Sequence, residues 1–178
     1  MRKNPHYLIY ASLLAALSIL FGKFLAISIG TDIRISFENL PLFIVSVFMG
    51  PFWGAATAVT ADLLGCVLRG YAIIPMITVA QALMGFLPGF LVRCVFQKTK
   101  SFPIAFSIVV THLVVSVGIK TLILHFTYGM PLPALLGWRA LTYLIIIPLE
   151  TYLCVLLSRN QAIRKQFGLS DGSSGGKS

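Results

Sequence analysis

The sequence predicts an all-α membrane protein built as a single bundle of six transmembrane helices. Apolar residues make up 57% of the 178 residues and charged residues only 11%, and the mean hydropathy is +0.90. Such a chain dissolves in lipid rather than in water. Six apolar stretches follow one another, and none shows the alternating pattern of barrel strands. Each stretch is therefore predicted to be a helix, because in lipid its backbone groups must bond within the segment.

Four of the stretches have the length of a membrane span: 6–29, 71–92, 102–124 and 133–157. The first follows Arg2 and Lys3, as in a signal peptide. However, it is about as long as a bilayer is thick, and more spans follow. We therefore interpret it as an uncleaved first helix.

The second and third stretches, 36–50 and 52–68, meet at Gly50-Pro51. One helix from Leu40 through Leu68 would be about 43 Å long at 1.5 Å per residue, too long for an ordinary span of about 30 Å. Proline cannot donate a hydrogen bond to the preceding turn, so a break is expected there. The sequence predicts either two short helices in a hairpin or one long kinked helix.

The basic residues indicate how the chain is oriented in a bacterial cell membrane. With six spans, eight basic residues lie on one side of the membrane and five on the other. With five spans the ratio is the same, because the N-terminal pair, Arg2 and Lys3, exchanges sides with the first-loop pair, Lys23 and Arg34. The side that holds Lys98, Lys100 and the C-terminal cluster is predicted to be cytoplasmic. We choose six spans with both termini cytoplasmic. Because the charges are scattered, the net charge of +9 does not predict nucleic-acid binding.

The chain is predicted to be one domain, 1–167, followed by a flexible tail, 168–178. The end of that tail, Asp171-Gly-Ser-Ser-Gly-Gly-Lys-Ser178, has the composition of a linker added in an expression vector. The three cysteines are odd in number and match no metal-ligand spacing. We therefore predict neither a disulfide framework nor a metal, and no cofactor.

Small residues recur at helical spacing, which allows helix backbones to approach closely in lipid. Internal packing is favoured for those of the third and fourth helices. On residue pattern alone, the pair in the first helix could pack internally or against a partner. The sets are Gly54, Ala58, Ala61 and Gly65; Gly85 and Gly89; and Ala11 and Ala15.

Charged residues gather towards the predicted outer face. Asp62 and Arg69 stand out, because an ionisable group at membrane depth costs roughly 2.5 to 3.5 kcal/mol and needs a partner, a cavity or a ligand. Local pairing or snorkelling is the simpler interpretation. An excess of cations suits a ligand with carboxylates, and nearby aromatic residues could flank a ring or form an interfacial belt. The group comprises Lys23, Asp32, Arg34, Glu38, Asp62, Arg69, Lys120 and Arg139.

Other classes of membrane protein find little support in the sequence. It contains no His-Glu-x-x-His motif, glycine-rich phosphate loop or nucleophile elbow. No filter-like loop or pair of inverted halves indicates a channel or a complete transporter. A binding subunit that is energised by other proteins fits the length best, and we predict that it is not an enzyme.

Several motifs carry a resemblance to a known family. They are Ala11-x-x-x-Ala15, Arg34-Ile-Ser-Phe-Glu-Asn-Leu-Pro41, Ala61-Asp-Leu-Leu-Gly-Cys66, Gly70-Tyr-Ala72, Lys120-Thr121, Arg139-x-x-x-Tyr143 and Ile147-Pro-Leu-Glu150. In this order they resemble the substrate-binding S components of energy-coupling factor (ECF) vitamin transporters, most closely the folate-specific ones. The resemblance extends to about Lys165. Ile74 departs from it, since an asparagine often precedes the proline there.

The resemblance implies a six-helix S component that captures folate with high affinity from outside and hydrolyses no ATP. It implies docking through Ala11 and Ala15 onto the coupling protein EcfT, which binds two cytoplasmic ATPases, EcfA and its paralogue. The site residues expected from this resemblance and from the residue chemistry are Arg34, Phe37, Glu38, Asn39, Arg69, Gly70, Tyr71, Lys120, Arg139 and Tyr143. The arginines are expected to bind carboxylates, the aromatic residues to flank the rings, and Glu38 and Asn39 to contact the pterin or cap the second helix. For Lys120, pairing with Glu150 or snorkelling is the alternative. The alternative functions are an S component for riboflavin, biotin or another vitamin, and a small intramembrane enzyme.

Overall fold

The computed structural model describes residues 5–24, 27–29, 33–70, 72–95, 101–129 and 131–160. Within these residues, six helices follow one another, and a pair of short strands lies between the first two. The predicted all-α bundle of six helices is therefore confirmed, with a small strand pair added. The helices are α1 (Pro5–Phe24), α2 (Asn39–Met49), α3 (Pro51–Arg69), α4 (Pro75–Phe90, continued as π-helix over Leu91–Val95), α5 (101–128) and α6 (Leu132–Arg159).

The fifth helix changes its winding in the middle. It is α-helical over Ser101–Thr111, π-helical over His112–Ile119 and α-helical again over Lys120–Tyr128. A π-helical turn widens the backbone, and such turns are frequent at functional sites. The apolar stretch 102–124 predicts one continuous helix here and gives no sign of the widened segment.

Two short strands follow α1: β1 (Ile27–Ile29), which lies where the end of the first helix was predicted, and β2 (Ile33–Ile35). They pair antiparallel, with Ser28 opposite Arg34. Isoleucine is β-branched and fits a pleated strand well. A two-stranded pair is marginal by itself, and here β2 lies against α6, which supports it.

The short helix α2 occupies the centre of the bundle. Its 11 residues span about 17 Å, which is less than the hydrocarbon thickness of a bilayer. Leu42, Phe43, Val45 and Val47 are completely buried, since α2 packs against α1, α3, α4 and α6. A helix that is apolar on every side belongs inside a protein. Among the residues that the structure describes, four longer segments are long and apolar enough to cross a membrane: Pro51–Leu68, Pro75–Arg93, Ser101–Thr127 and Leu135–Arg159.

The break between α2 and α3 lies at Gly50, as predicted. This residue has a φ of 115°, and its N–H donates to the Ser46 carbonyl at 3.1 Å. Pro51 then starts α3, and the two helices pack against each other as a hairpin, so the first of the two predicted alternatives is correct. The Arg93 guanidinium covers this turn, because its Nη2 donates to the Phe48 carbonyl at 2.7 Å.

Glycines bring α3 and α4 into backbone contact. A Cβ added to Gly54 would lie 2.1 Å from the Gly85 carbonyl oxygen, and one added to Gly85 would lie 2.2 Å from that of Gly54. One turn further along, the Gly89 N–H donates to Ser46 Oγ of α2 at 2.8 Å. Internal packing was the favoured interpretation for these residues, and it is confirmed.

Ala11 and Ala15 also face the interior of the bundle. Only 6% and 5% of their surfaces are exposed. Ala15 belongs to a cluster with Leu42, Ala58 and Ala61, and Ala11 to one with Val45 and Met49. The chain's own helices α2 and α3 cover this face, so internal packing is sufficient to explain the two alanines. A coupling subunit could reach the two alanines only if α1 moved, so their docking role stays a prediction.

Candidate functional site

A chain of polar side chains connects α2, α4 and α5 at one end of the bundle. Lys120 Nζ donates to Gln81 Oε1, and Gln81 Nε2 donates to Asn39 Oδ1 at 3.5 Å. Asn39 and Gln81 are buried, whereas Lys120 is half-buried. These contacts satisfy polar groups that an apolar bundle could not otherwise hold. Lys120 thus contacts Gln81, a residue that the sequence analysis did not select.

The residues at the start of α2 were predicted either to bind a ligand or to cap the helix. Glu38 precedes the first helical residue, but its side chain forms no capping hydrogen bond. The Asn39 side chain instead contacts Gln81 of α4. Phe37 is half-buried, and its carbonyl accepts from the Leu40 N–H at 3.2 Å. The capping interpretation is therefore wrong for the Glu38 side chain.

A cavity lies between α1, α3, α4 and the residue that precedes α2. It contains about 350 Å³ of empty space, counting the part that is open to the outside. Asp62 stands in its wall, and its Oδ2 accepts from Thr78 Oγ1 at 2.7 Å. The simpler interpretation of Asp62 was that it pairs with a nearby residue. That partner is Thr78 of α4. The lining residues are Ser18, Ile19, Glu38, Ala61, Asp62, Gly65, Cys66 and Gln81.

Arg139 and Tyr143 lie one turn apart on α6 and contact the π-helical segment of α5. Arg139 Nη1 donates to the Ser116 carbonyl at 2.6 Å. The Tyr143 ring lies 5.2 Å from the His112 ring, centre to centre. Lys120 follows Ser116 by one turn of α5. Arg139 therefore contacts α5 about one turn away from Lys120, the other predicted cation of this region.

His112 and Glu150 form a buried pair that sequence reasoning missed. His112 Nε2 lies 2.7 Å from Glu150 Oε2, and neither side chain is exposed. Lys120 was the predicted alternative partner of Glu150, but Glu150 pairs with His112 instead. The available signal was an ionisable residue in each of two apolar stretches. It could not show that these two residues, 38 positions apart, contact each other.

The structure describes the remaining predicted residues only in part. Arg34 is the middle residue of β2, and Arg69 ends α3. Gly70 caps α3 in the left-handed conformation, with a φ of 68°. Tyr71 and the side chains of Arg34 and Arg69 lie outside the described part of the chain. Their roles therefore stay predictions.

The six-helix fold and the polar site at one end indicate a membrane-embedded substrate-binding subunit. A family model for the substrate-specific component of ECF transporters matches residues 6–157. The chain belongs to this family, whose members serve as substrate-binding components of transporters and not as enzymes.

Solved structures share this fold. A structure of FolT bound with folic acid has a TM-score of 0.73 at 22% identity, covering 90% of this chain and 95% of that one. An S component of a bacterial ECF transporter has a TM-score of 0.66 at 17% identity, with 94% and 99% covered. The S component for biotin from an ECF-type ABC transporter has a TM-score of 0.65 at 17% identity, with 93% and 94% covered. At these identities the similarity shows the fold alone.

A curated relative is an uncharacterized protein, the MG313 homolog of Mycoplasma pneumoniae. It is 30% identical over 99 residues, which is 56% of this chain and 34% of the relative. The matched part thus spans about a third of that relative's length.

Proposed function

We propose that this chain is the high-affinity folate-binding subunit of an ECF-type importer. It would capture folate at the extracellular face and deliver it inwards with an ATPase-driven module. The observation that carries the proposal is the position of Lys120 and Arg139, two cations that contact Gln81 and the Ser116 carbonyl at one end of the bundle. The similarity to FolT bound with folic acid supports the choice of ligand.

The chemistry of folate suits these residues. Folate joins a flat pterin and an aromatic ring to a glutamate with two carboxylates. A guanidinium has five N–H donors in a planar fork, which binds a carboxylate through two parallel hydrogen bonds. Arg139 uses one donor on the Ser116 carbonyl. Arg34, Arg69 and Lys120 complete the proposed set of carboxylate partners, and Phe37, Tyr71 and Tyr143 the proposed aromatic contacts.

The proposed partners follow from the family. A substrate-specific component works with a transmembrane coupling protein, EcfT, and with two cytoplasmic ATPases, EcfA and its paralogue. The proposed location is the bacterial cell membrane, with one binding domain over 1–167 and both termini in the cytoplasm. This orientation places the polar end of the bundle outside, where the vitamin is captured.

The first test is a titration of the purified protein with folic acid, followed by tryptophan fluorescence. Riboflavin, biotin and thiamine serve as comparison ligands, with corrections for ligand absorbance. Saturable submicromolar binding of folic acid alone is the expected result. Binding of riboflavin or biotin instead would assign another vitamin, and a folded protein that binds none of them would overturn the proposal.

The two tryptophans allow the ligand to be located. Trp53 lies at the first turn of α3, 6.4 Å from the Tyr7 ring, at the end of that helix opposite Arg69. Trp138 precedes Arg139. Quenching should therefore persist in Trp53→Phe and be lost in Trp138→Phe. The reverse pattern would place the ligand at the wrong end of the bundle.

A further inference from the structure

One face of α3 changes from close packing to open space along its length. At Gly54 an added Cβ would collide with α4, whereas at Gly65 it would meet no atom within 4 Å outside its own helix. Ala61, Asp62, Gly65 and Cys66 fall on one helical face and line the cavity. The small side chains on both sides of Asp62 leave room in front of its carboxylate.

The polar groups in this cavity are mostly hydrogen-bond acceptors. An ionised carboxylate only accepts hydrogen bonds, at about four lone-pair positions, and Thr78 supplies one donor to Asp62. Glu38 adds a second carboxylate to the wall. The donors of the region have partners: Ser18 Oγ donates to the Glu38 carbonyl at 2.6 Å, Lys120 Nζ to Gln81 Oε1, and Gln81 Nε2 to Asn39 Oδ1. Lys120 also lies within electrostatic range of both carboxylates. The remaining lone-pair positions of Asp62 would accept hydrogen bonds from an N–H edge of a ligand.

We propose that Asp62 is a specificity residue that accepts hydrogen bonds from the N–H edge of a flat, amino-substituted heterocycle. In folate this edge is the 2-amino group and the N3–H of the pterin. The ligand's carboxylates then lie towards Arg139, which contacts the Ser116 carbonyl of α5. The inference rests on the proposed function and adds the orientation of the ligand and the residue that recognises its ring.

The test compares two ligands by calorimetric titration of the purified full-length protein. Folic acid carries the pterin, and p-aminobenzoylglutamate carries the same carboxylate tail without it. Asp62→Asn should weaken folic acid binding by roughly 10- to 100-fold, because a hydrogen bond to a charged group contributes about 1.5 to 3 kcal/mol. The same change should alter the affinity for p-aminobenzoylglutamate by less than about 3-fold.

Two further variants separate recognition from folding. Thr78→Val removes the partner of Asp62 but keeps the carboxylate, so its effect on folic acid should be several times smaller. Gly65→Leu fills the cavity without removing a polar group, and should abolish folic acid binding while p-aminobenzoylglutamate still binds. Arg139→Ala should give a different pattern and weaken both ligands.

The possible outcomes distinguish this inference from the proposed function. If the unaltered protein does not bind folic acid, the proposed function fails. If it binds folic acid and Asp62→Asn binds it equally well, only the role of Asp62 is wrong. Equal loss of both ligands in a folded Asp62→Asn variant would also overturn the inference, since it would show that Asp62 does not read the ring.

Discussion

His112 Nε2 and Glu150 Oε2 lie 2.7 Å apart in the core of the bundle, and both side chains are completely buried. The contact joins the first residue of the π-helical segment of α5 to α6. Aromatic rings enclose it: Phe43 packs edge-on against His112 at 5.1 Å, and Tyr143 lies at 5.2 Å. The pair therefore connects the central helix, the widened turn of α5 and the helix that carries Arg139.

Removing one member of this pair should destabilise the folded protein. Glu150→Ala is expected to lower the free energy of unfolding by about 3 to 5 kcal/mol, because it leaves a buried partner unsatisfied. Glu150→Gln should cost less, since an amide still hydrogen-bonds the imidazole. Thermal unfolding of detergent-solubilised protein measures both. Tyr152→Ala is the matched control, as Tyr152 is 63% exposed on the same helix; equal melting temperatures for Glu150→Ala and Tyr152→Ala would contradict the prediction.

The contact between Gly54 and Gly85 predicts a steric effect of a single methyl group. Gly85→Ala should destabilise the bundle by roughly 1 to 3 kcal/mol, because its Cβ meets the Gly54 carbonyl and α3 must move away from α4. Gly137→Ala adds the same methyl group on α6 where nothing lies within 4 Å. It should be neutral or slightly stabilising, since alanine favours a helix. Similar melting temperatures for the two variants would argue against backbone contact between α3 and α4.

Replacing Gly50 should lower the stability of the folded protein whether or not Arg93 covers the turn. Gly50→Ala should destabilise by about 1 to 3 kcal/mol, because a φ of 115° is strained for a residue with a side chain. The new Cβ would also lie 2.9 Å from Arg93 Nη1, but a long side chain can move aside. Most of the loss of stability should therefore persist when the double variant Gly50→Ala/Arg93→Ala is compared with Arg93→Ala by thermal unfolding. Full recovery in that background would show that the contact alone is responsible.

The buried position of Ala15 predicts that a larger residue there disturbs the fold itself. Ala15→Leu should lower the unfolding free energy by roughly 1 to 3 kcal/mol, because the site is already filled by Leu42 and Ala58. Ala16→Leu, on the exposed side of the same helix, is the control and should leave the melting temperature nearly unchanged. If Ala15→Leu is as stable as the parent but cannot assemble with a coupling subunit, the docking role of α1 would be supported instead.

Arg139 is expected to contribute more to ligand binding than to folding. Arg139→Ala should weaken folic acid binding by orders of magnitude, whereas the variant still elutes as a folded monodisperse protein in detergent. Arg139→Lys keeps the charge but loses the planar fork, so it should recover only part of the affinity. Loss of expression in both variants would instead assign Arg139 to structure, through its bond to the Ser116 carbonyl.

Local patterns were sufficient for the helices of this protein. A helix satisfies its backbone groups within one segment, so apolar length and the Gly50-Pro51 break predict where helices begin and end. Close internal packing of the small-residue faces of α3 and α4 was also predictable, because small residues let helix backbones approach, but the contact between Gly54 and Gly85 was not. The pair of strands at 27–29 and 33–35 was missed, since its stability depends on support from α6.

The sequence by itself determined that the chain is a six-helix membrane protein with cations and acids near one end. Only the tertiary structure decided which of these groups meet: Lys120 with Gln81, Asp62 with Thr78, and His112 with Glu150. It also decided that Ala11 and Ala15 face inwards. The physical reason is that helix formation is local, whereas a side-chain pair depends on the rotation and depth of two helices, which the packing of the whole bundle sets.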